Sequence, residues 1–141
     1  MSVEWPGGEF GDRVRRRLRD EKVIWLTTVG QDGTPQMNPV WFLWDGADAV
    51  LVYNRPDAQR LRHLVARPQL ALNLDGNGRG GDIVVVTGVA RRDDSVPPAD
   101  RHEEYLAKYR EDMARVSGSV EKFAQDYSVP LLIDLRRVRG H

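Results

Sequence analysis

Hydrophobic positions along the chain change period several times, and each change marks an element. Phe10, Val14 and Leu18 recur at four-residue spacing, which predicts a helix with one apolar stripe after a loose N-terminal arm (residues 1–8). Arg13, Arg15, Arg16, Arg17 and Arg19 cover the rest of that helix and read as a solvated face. From Lys22 to Val29 the residues turn β-branched and aromatic, and Gln31-Asp32-Gly33 supplies the Asp-Gly signal of a hairpin. Thr34 to Trp44 is the second strand, Asp45-Gly46 another turn, and Ala49 to Tyr53 the third strand. Pro56-Asp57 opens a short helix to about Ala66, with Ala58, Leu61 and Val65 as its buried stripe, and Pro68 stops it. Gln69 to Leu74 and Asp82 to Ala90 are the fourth and fifth strands, joined by the glycine-rich segment 75–81. Pro97 to Val116 predicts a helix with Tyr105, Leu106, Tyr109, Met113 and Val116 on one side. Ser117-Gly118 breaks it, Ser119 caps a last short helix through Tyr127, and Val129 to Val138 is the sixth strand.

Strands joined mostly by hairpin-length turns, without βαβ alternation, predict a mainly β fold: a small antiparallel barrel with added helices. No repeat and no long linker divides the chain, so residues 1–141 are expected to form one domain. A hydrophobic share of 40% over 141 residues supports a core without staples. Lys+Arg and Asp+Glu both count 21, a balance that argues against a nucleic-acid binder. Zero cysteines exclude disulfides, thiolate catalysis and cysteine-ligated metal. No apolar run suits a membrane span, and MSVEWPGGEF lacks a signal-peptide core, so a soluble, cytoplasmic protein is expected. Only 3 of the 21 cations are lysine, and arginine is the planar, bidentate partner of phosphate and carboxylate.

Most chemical motifs are missing. The Gly76-x-Gly78-x-Gly80 loop precedes a strand where a phosphate-binding helix would have to begin. His63, His102 and His141 are too scattered for a metal site, no serine sits in a nucleophile elbow, and no carboxylate pair stands out. No catalytic residue and no metal ligand are therefore assigned.

Two features remain. In Val40-Trp41-Phe42-Leu43-Trp44 alternation puts Val40, Phe42 and Trp44 on one face and Trp41 and Leu43 on the other. One apolar face can fill a barrel; the other requires a covering helix, a second subunit or a flat aromatic ligand. Gln36 and Asn38, just upstream, add amides able to read the heteroatom edge of such a ligand. The second feature is the strand-to-helix junction from Tyr53 to His63. Arg55 precedes the helix N-terminus, and Arg60 and Arg62 lie in its first turns. That grouping suits a phosphate, and surface ion pairs explain it equally.

The ordered segments WLTTVGQDGTPQMNPVWFLWDG, LVYNRPDAQRLRHLVARPQLALNLDG and GGDIVVVTGVA resemble the pyridoxamine-phosphate-oxidase-like flavoprotein superfamily. Within it the chain looks most similar to the actinobacterial branch of deazaflavin (coenzyme F420)-dependent oxidoreductases. The resemblance runs from about Phe10 to Arg139 and includes Tyr105-x-x-Lys108-Tyr109. It implies a six-stranded antiparallel split β-barrel of Greek-key type, forming a homodimer with cofactor sites at the subunit interface. It implies that Gln36, Met37, Asn38, Pro39, Val40 and Trp41 lie along the tricyclic ring. Tyr53, Asn54, Arg55 and Arg60 would hold the phosphate, and Asn73 would touch the ring or ribityl chain. One departure is Arg60, where relatives usually carry lysine; charge is kept and a point charge becomes a fork. The implied activity is hydride transfer from reduced F420 to an electron-poor small organic substrate. An FMN-dependent oxidase or reductase, and a non-catalytic carrier of a cofactor or tetrapyrrole, are the alternatives.

Overall fold

The structure, a computed structural model, describes residues 3–141. Helix α1 spans Gly8–Asp20 and is followed by β1 Ile24–Val29, β2 Pro35–Val40, β3 Leu43–Trp44 and β4 Ala49–Asn54. Helix α2 Gln59–Ala66 leads to β5 Gln69–Asn73 and β6 Val84–Arg92. A 3-10 turn Ala99–Arg101 precedes α3 Glu103–Ser117, α4 Val120–Asp126 and β7 Val129–Gly140. The strands form one antiparallel sheet in the order β2-β1-β5-β6-β7-β4-β3. Its two edges are β2 and β3, which are separated in sequence by only Trp41 and Phe42. So short a link forces the sheet to curl until its ends meet, giving a half-barrel.

The second predicted strand is thus two strands, and the sheet has seven strands rather than six. The break has a cause in Tyr109 of α3. Its hydroxyl accepts the Phe42 N–H at 2.9 Å and lies 2.7 Å from the Lys22 carbonyl and 2.9 Å from the Phe42 carbonyl. One phenolic proton serves one of those carbonyls at a time. Lys108 Nζ donates to the Phe42 carbonyl at 2.8 Å. The backbone groups of Phe42 are therefore satisfied by a helix instead of a neighbouring strand, and pairing stops there.

Two cores result. Inside the half-barrel, Ile24, Leu26, Val40, Phe42, Val50, Leu72, Val86, Ile133 and Leu135 pack with Val14 and Leu18 of α1. Outside it, α3 and α4 lay Tyr105, Tyr109, Met113 and Phe123 over Leu51, Tyr53, Trp41 and Leu43. Trp41 and Leu43 are thus covered by helices. Ser119 caps α4 by accepting the Lys122 N–H at 3.0 Å, and Gly118 ends α3 in the left-handed conformation at φ 93°.

Three helix expectations change. The helix predicted from Pro97 begins only at Glu103, after the 3-10 turn Ala99–Arg101, with His102 accepting the Tyr105 N–H as its cap. In α2 the buried residue is Leu64, whereas Val65 is 88% exposed, because the helix starts at Gln59 and turns a different stripe inward. In α1, Arg13 and Arg17 are not solvated: their side chains are 19% and 11% exposed. Both reach Asp82, at 2.5 Å and 3.2 Å, which holds the loop before β6. Asp82 itself has φ 55°, a left-handed conformation that aspartate tolerates better than most residues. Among the described residues no helix is long and apolar enough to cross a membrane.

Candidate functional site

The junction between β4 and α2 builds the site. Tyr53 and Asn54 end β4, where they pair with Pro130 and Val129 of β7. Asn54 is fully buried. Its amide nitrogen donates to the carbonyls of Val52 at 3.0 Å and Val129 at 3.1 Å, and its Oδ1 accepts from Arg60 Nε at 2.6 Å. The anchor is rigid because all of its bonds run to buried backbone or to this one guanidinium. Asn54 therefore stands behind Arg60 rather than facing open space.

Arg60 is half-buried, and burial pulls its pKa below the ordinary arginine range, opposed only by Tyr127. An arginine remains protonated at neutral pH, so a cation sits in a partly dehydrated place. Among the described residues no carboxylate comes within ion-pair distance of it. Arg55 is exposed; its guanidinium lies 5.4 Å from the centre of the Tyr127 ring and 3.9 Å from the Asp57 carboxylate. Surface pairing thus accounts for Arg55 in part and for Arg60 not at all.

Arg60 opens into a cleft of about 210 Å³ that also takes in Pro39, Val40, Trp41 and Tyr53. Five residues expected from sequence are brought together there. Its remaining walls are Tyr105, Val116, Phe123 and Tyr127, from α3, α4 and the residue after it. The sequence does not point to those four, because the tyrosine and valine spacing on α3 reads equally as a core stripe. The Trp41 indole stacks on Tyr109 at 5.0 Å and on Phe123 at 5.3 Å, with interplanar angles of 6° and 13°. The result is an aromatic wall with one cation at its end.

Gln36, Met37 and Asn38 lie outside this cleft, exposed on β2, with Met37 59% exposed. Asn73 sits on β5 in the same row as Trp25 of β1 and Pro39 of β2. Two strand spacings, about 10 Å, separate it from Pro39 on that face. Its amide nitrogen reaches only the Leu74 carbonyl, at 3.4 Å. On this outer face Met37, Trp25, Ala71, Val85 and Val89 are partly or fully exposed. A wider groove of about 820 Å³ between α1 and α3 holds none of the expected residues. It mixes Arg15, Arg19, Lys22 and Lys108 with Asp20, Asp45 and Glu104, so it has no single charge preference.

The fold is shared with several solved structures. An F420 reductase is 22% identical, with 93% of this chain and 94% of that one aligned and a TM-score of 0.58. A conserved hypothetical protein from Mycobacterium tuberculosis is 20% identical, with coverages of 99% and 88% and a TM-score of 0.65. The heme storage protein HutZ from Vibrio cholerae is 14% identical, with coverages of 99% and 95% and a TM-score of 0.65. At these identities the likeness is one of fold. No curated protein matches the chain in sequence. Residues 10–132 match the family model described as pyridoxamine 5'-phosphate oxidase, and the chain belongs to that family.

Proposed function

We propose that this protein is an oxidoreductase that binds a flat, phosphorylated redox cofactor, the deazaflavin F420 ahead of FMN, and passes hydride to an electron-poor small organic substrate. The observation that carries this reading is Arg60: a half-buried cation with no carboxylate partner among the described residues, oriented by Asn54, in an aromatic cleft. Such a group suits a phosphate, which takes two-pronged arginine bonds. Arg55, beside Tyr127, adds a second cation at the rim. When bound, the cofactor supplies the hydride chemistry.

The chain's own residues bind, orient and exclude water. A cleft of about 210 Å³ is smaller than the roughly 300 Å³ at which pockets for whole drug-sized ligands begin, so it takes the phosphate end. The tricycle then lies along the exposed Gln36–Pro39 stretch of β2. A second copy of the chain, laid on the outer face of β2, β1, β5 and β6, would cover both that ring and the exposed Met37. The homodimer belongs to this reading for that reason. No side chain is needed as acid or base, because solvent can supply the proton.

Titration of the protein with F420 and with FMN, followed by absorbance and fluorescence, tests the reading. Binding of F420 at micromolar concentration or tighter is expected, with Arg60→Ala weaker by about 1.5–3 kcal/mol per lost bond. FMN binding with no F420 binding would move the choice to the flavin. Stopped-flow mixing of the reduced complex with electron-poor acceptors separates enzyme from carrier: no acceptor faster than buffer oxidation would make it a carrier.

A further inference from the structure

Tyr105 is 1% exposed, and its ring is fixed on two sides. Tyr53 meets it edge-on at 4.8 Å and 86°, and Tyr109 lies tilted at 4.8 Å and 39°. Both neighbours use their hydroxyls: Tyr53 donates to the Pro97 carbonyl, and Tyr109 bridges Phe42 and Lys22. The Tyr105 hydroxyl has no hydrogen-bond partner among the described residues. No fully enclosed side-chain nitrogen or oxygen there lacks a partner, so this oxygen must border open space. The space that Tyr105 lines is the cleft it shares with Arg60. Burial, with Tyr109, Tyr53 and Tyr127 nearby, pushes the phenol far above the ordinary tyrosine range, so it stays a neutral donor.

An unpartnered donor in an otherwise sealed side chain costs free energy unless a ligand completes it. We propose that Tyr105 and Arg60 clamp one oxyanion between them, the guanidinium supplying charge and the phenol a neutral hydrogen bond. The anion is the phosphate of the bound cofactor, so the inference rests on the cofactor reading above. Both groups line one cleft of about 210 Å³, which is small enough to take the phosphate end of the ligand rather than the whole of it. The sequence places Tyr105 on a helix far from the Tyr53–Arg60 junction, and only the fold brings them to one cavity.

The test uses the full chain and Tyr105→Phe, which keeps the ring contacts with Tyr53 and Tyr109. Without ligand the variant should unfold at the same denaturant concentration as wild type or higher, because the hydroxyl makes no internal bond. A lower midpoint would mean a structural hydroxyl and would overturn the proposal. Equilibrium titrations then compare FMN with riboflavin, and F420 with its phosphate-free core. Tyr105→Phe should weaken the phosphorylated ligands about 10- to 100-fold and leave the phosphate-free ones unchanged. Equal weakening of both members of a pair would place the hydroxyl on the ring, and no weakening of any would remove it from the site; either overturns the clamp. Inorganic phosphate, followed by thermal shift, separates this from failure of the cofactor reading. If wild type binds neither cofactor while phosphate still stabilises it more than Tyr105→Phe, the clamp stands and the cofactor assignment falls. If phosphate stabilises neither protein and neither cofactor binds, both fall.

Discussion

Asn54 joins the end of β4 to Arg60 of α2 by a 2.6 Å hydrogen bond, while its amide nitrogen is tied to the carbonyls of Val52 and Val129. The side chain thus couples the stability of the barrel to the aim of the guanidinium. Asn54→Ala should leave buried partners unsatisfied and cost about 1–3 kcal/mol for each, read as a lower urea midpoint. Asn54→Asp should instead place a carboxylate against Arg60, cancel its charge, and weaken phosphorylated ligands more than phosphate-free ones. Equal affinity of Asn54→Asp and wild type for FMN would count against Arg60 as the phosphate partner.

Tyr109 is expected to be the costlier tyrosine to alter. Tyr109→Phe removes the acceptor of the buried Phe42 N–H and leaves Lys108 as the remaining donor to the Phe42 carbonyl. A loss of about 1–3 kcal/mol in unfolding free energy is expected. Faster amide exchange at Phe42 would report the same event locally.

Lys108 gives the fold an alkaline pH dependence. Burial lowers its pKa from 10.5 to about 8, with Lys22 adding to the fall and Asp20 and Glu21 opposing it. Between those two values the unfolded chain holds a proton that the folded chain has released, so stability rises with pH across the window. Compared with Lys108→Met, which has no such proton, wild type should gain stability from about pH 7 to pH 10, by at most about 3 kcal/mol. Urea melts of both proteins across that range measure it; a flat difference would show that the amine is not held in a depressed state.

Asp82 should behave in the opposite sense. Hydrogen bonding from Arg13, with the charges of Arg17, Arg13 and Arg16 adding to it, holds its carboxyl below the ordinary 3.8. Its contribution is present above that ordinary value and is lost as pH falls through the depressed one. Asp82→Asn keeps a residue that tolerates φ 55° and removes only the charge. Wild type should be more stable at neutral pH by less than about 1 kcal/mol, because the Asp82 side chain is 37% exposed and solvent screens the pair, and the two should converge in acid.

Much of the strand pattern was legible from β-branched runs and Asp-Gly turns, because local chemistry decides both. The break at Trp41–Phe42 was not, since it depends on a tyrosine 67 residues away in sequence reaching the Phe42 backbone. The grouping of Tyr53 with Arg60 in one candidate cleft was legible because strand, turn and arginine are neighbours in the chain. Tyr105, Phe123 and Tyr127 were not, because an aromatic on a helix carries the same signature whether it fills a core or walls a cleft. Arg13 and Arg17 show the same limit for charge: a run of arginines looks solvated until a distant loop presents Asp82.

The hairpin joining β1 to β2 closes with the Gly30 N–H on the Thr34 carbonyl at 3.1 Å. By strand alternation the amides of residues 36, 38 and 40 then face β1, and those of 35, 37 and 39 face outward. Residues 35 and 39 are proline, so along this rim Met37 is the one residue with an N–H to offer. A rim so poor in donors is a weak template for another strand, which guards against sheet-to-sheet polymerisation. The rim thus favours association broadside on β2, through side chains, over strand addition at its edge, and the geometry of association is biased before a single interfacial contact is chosen.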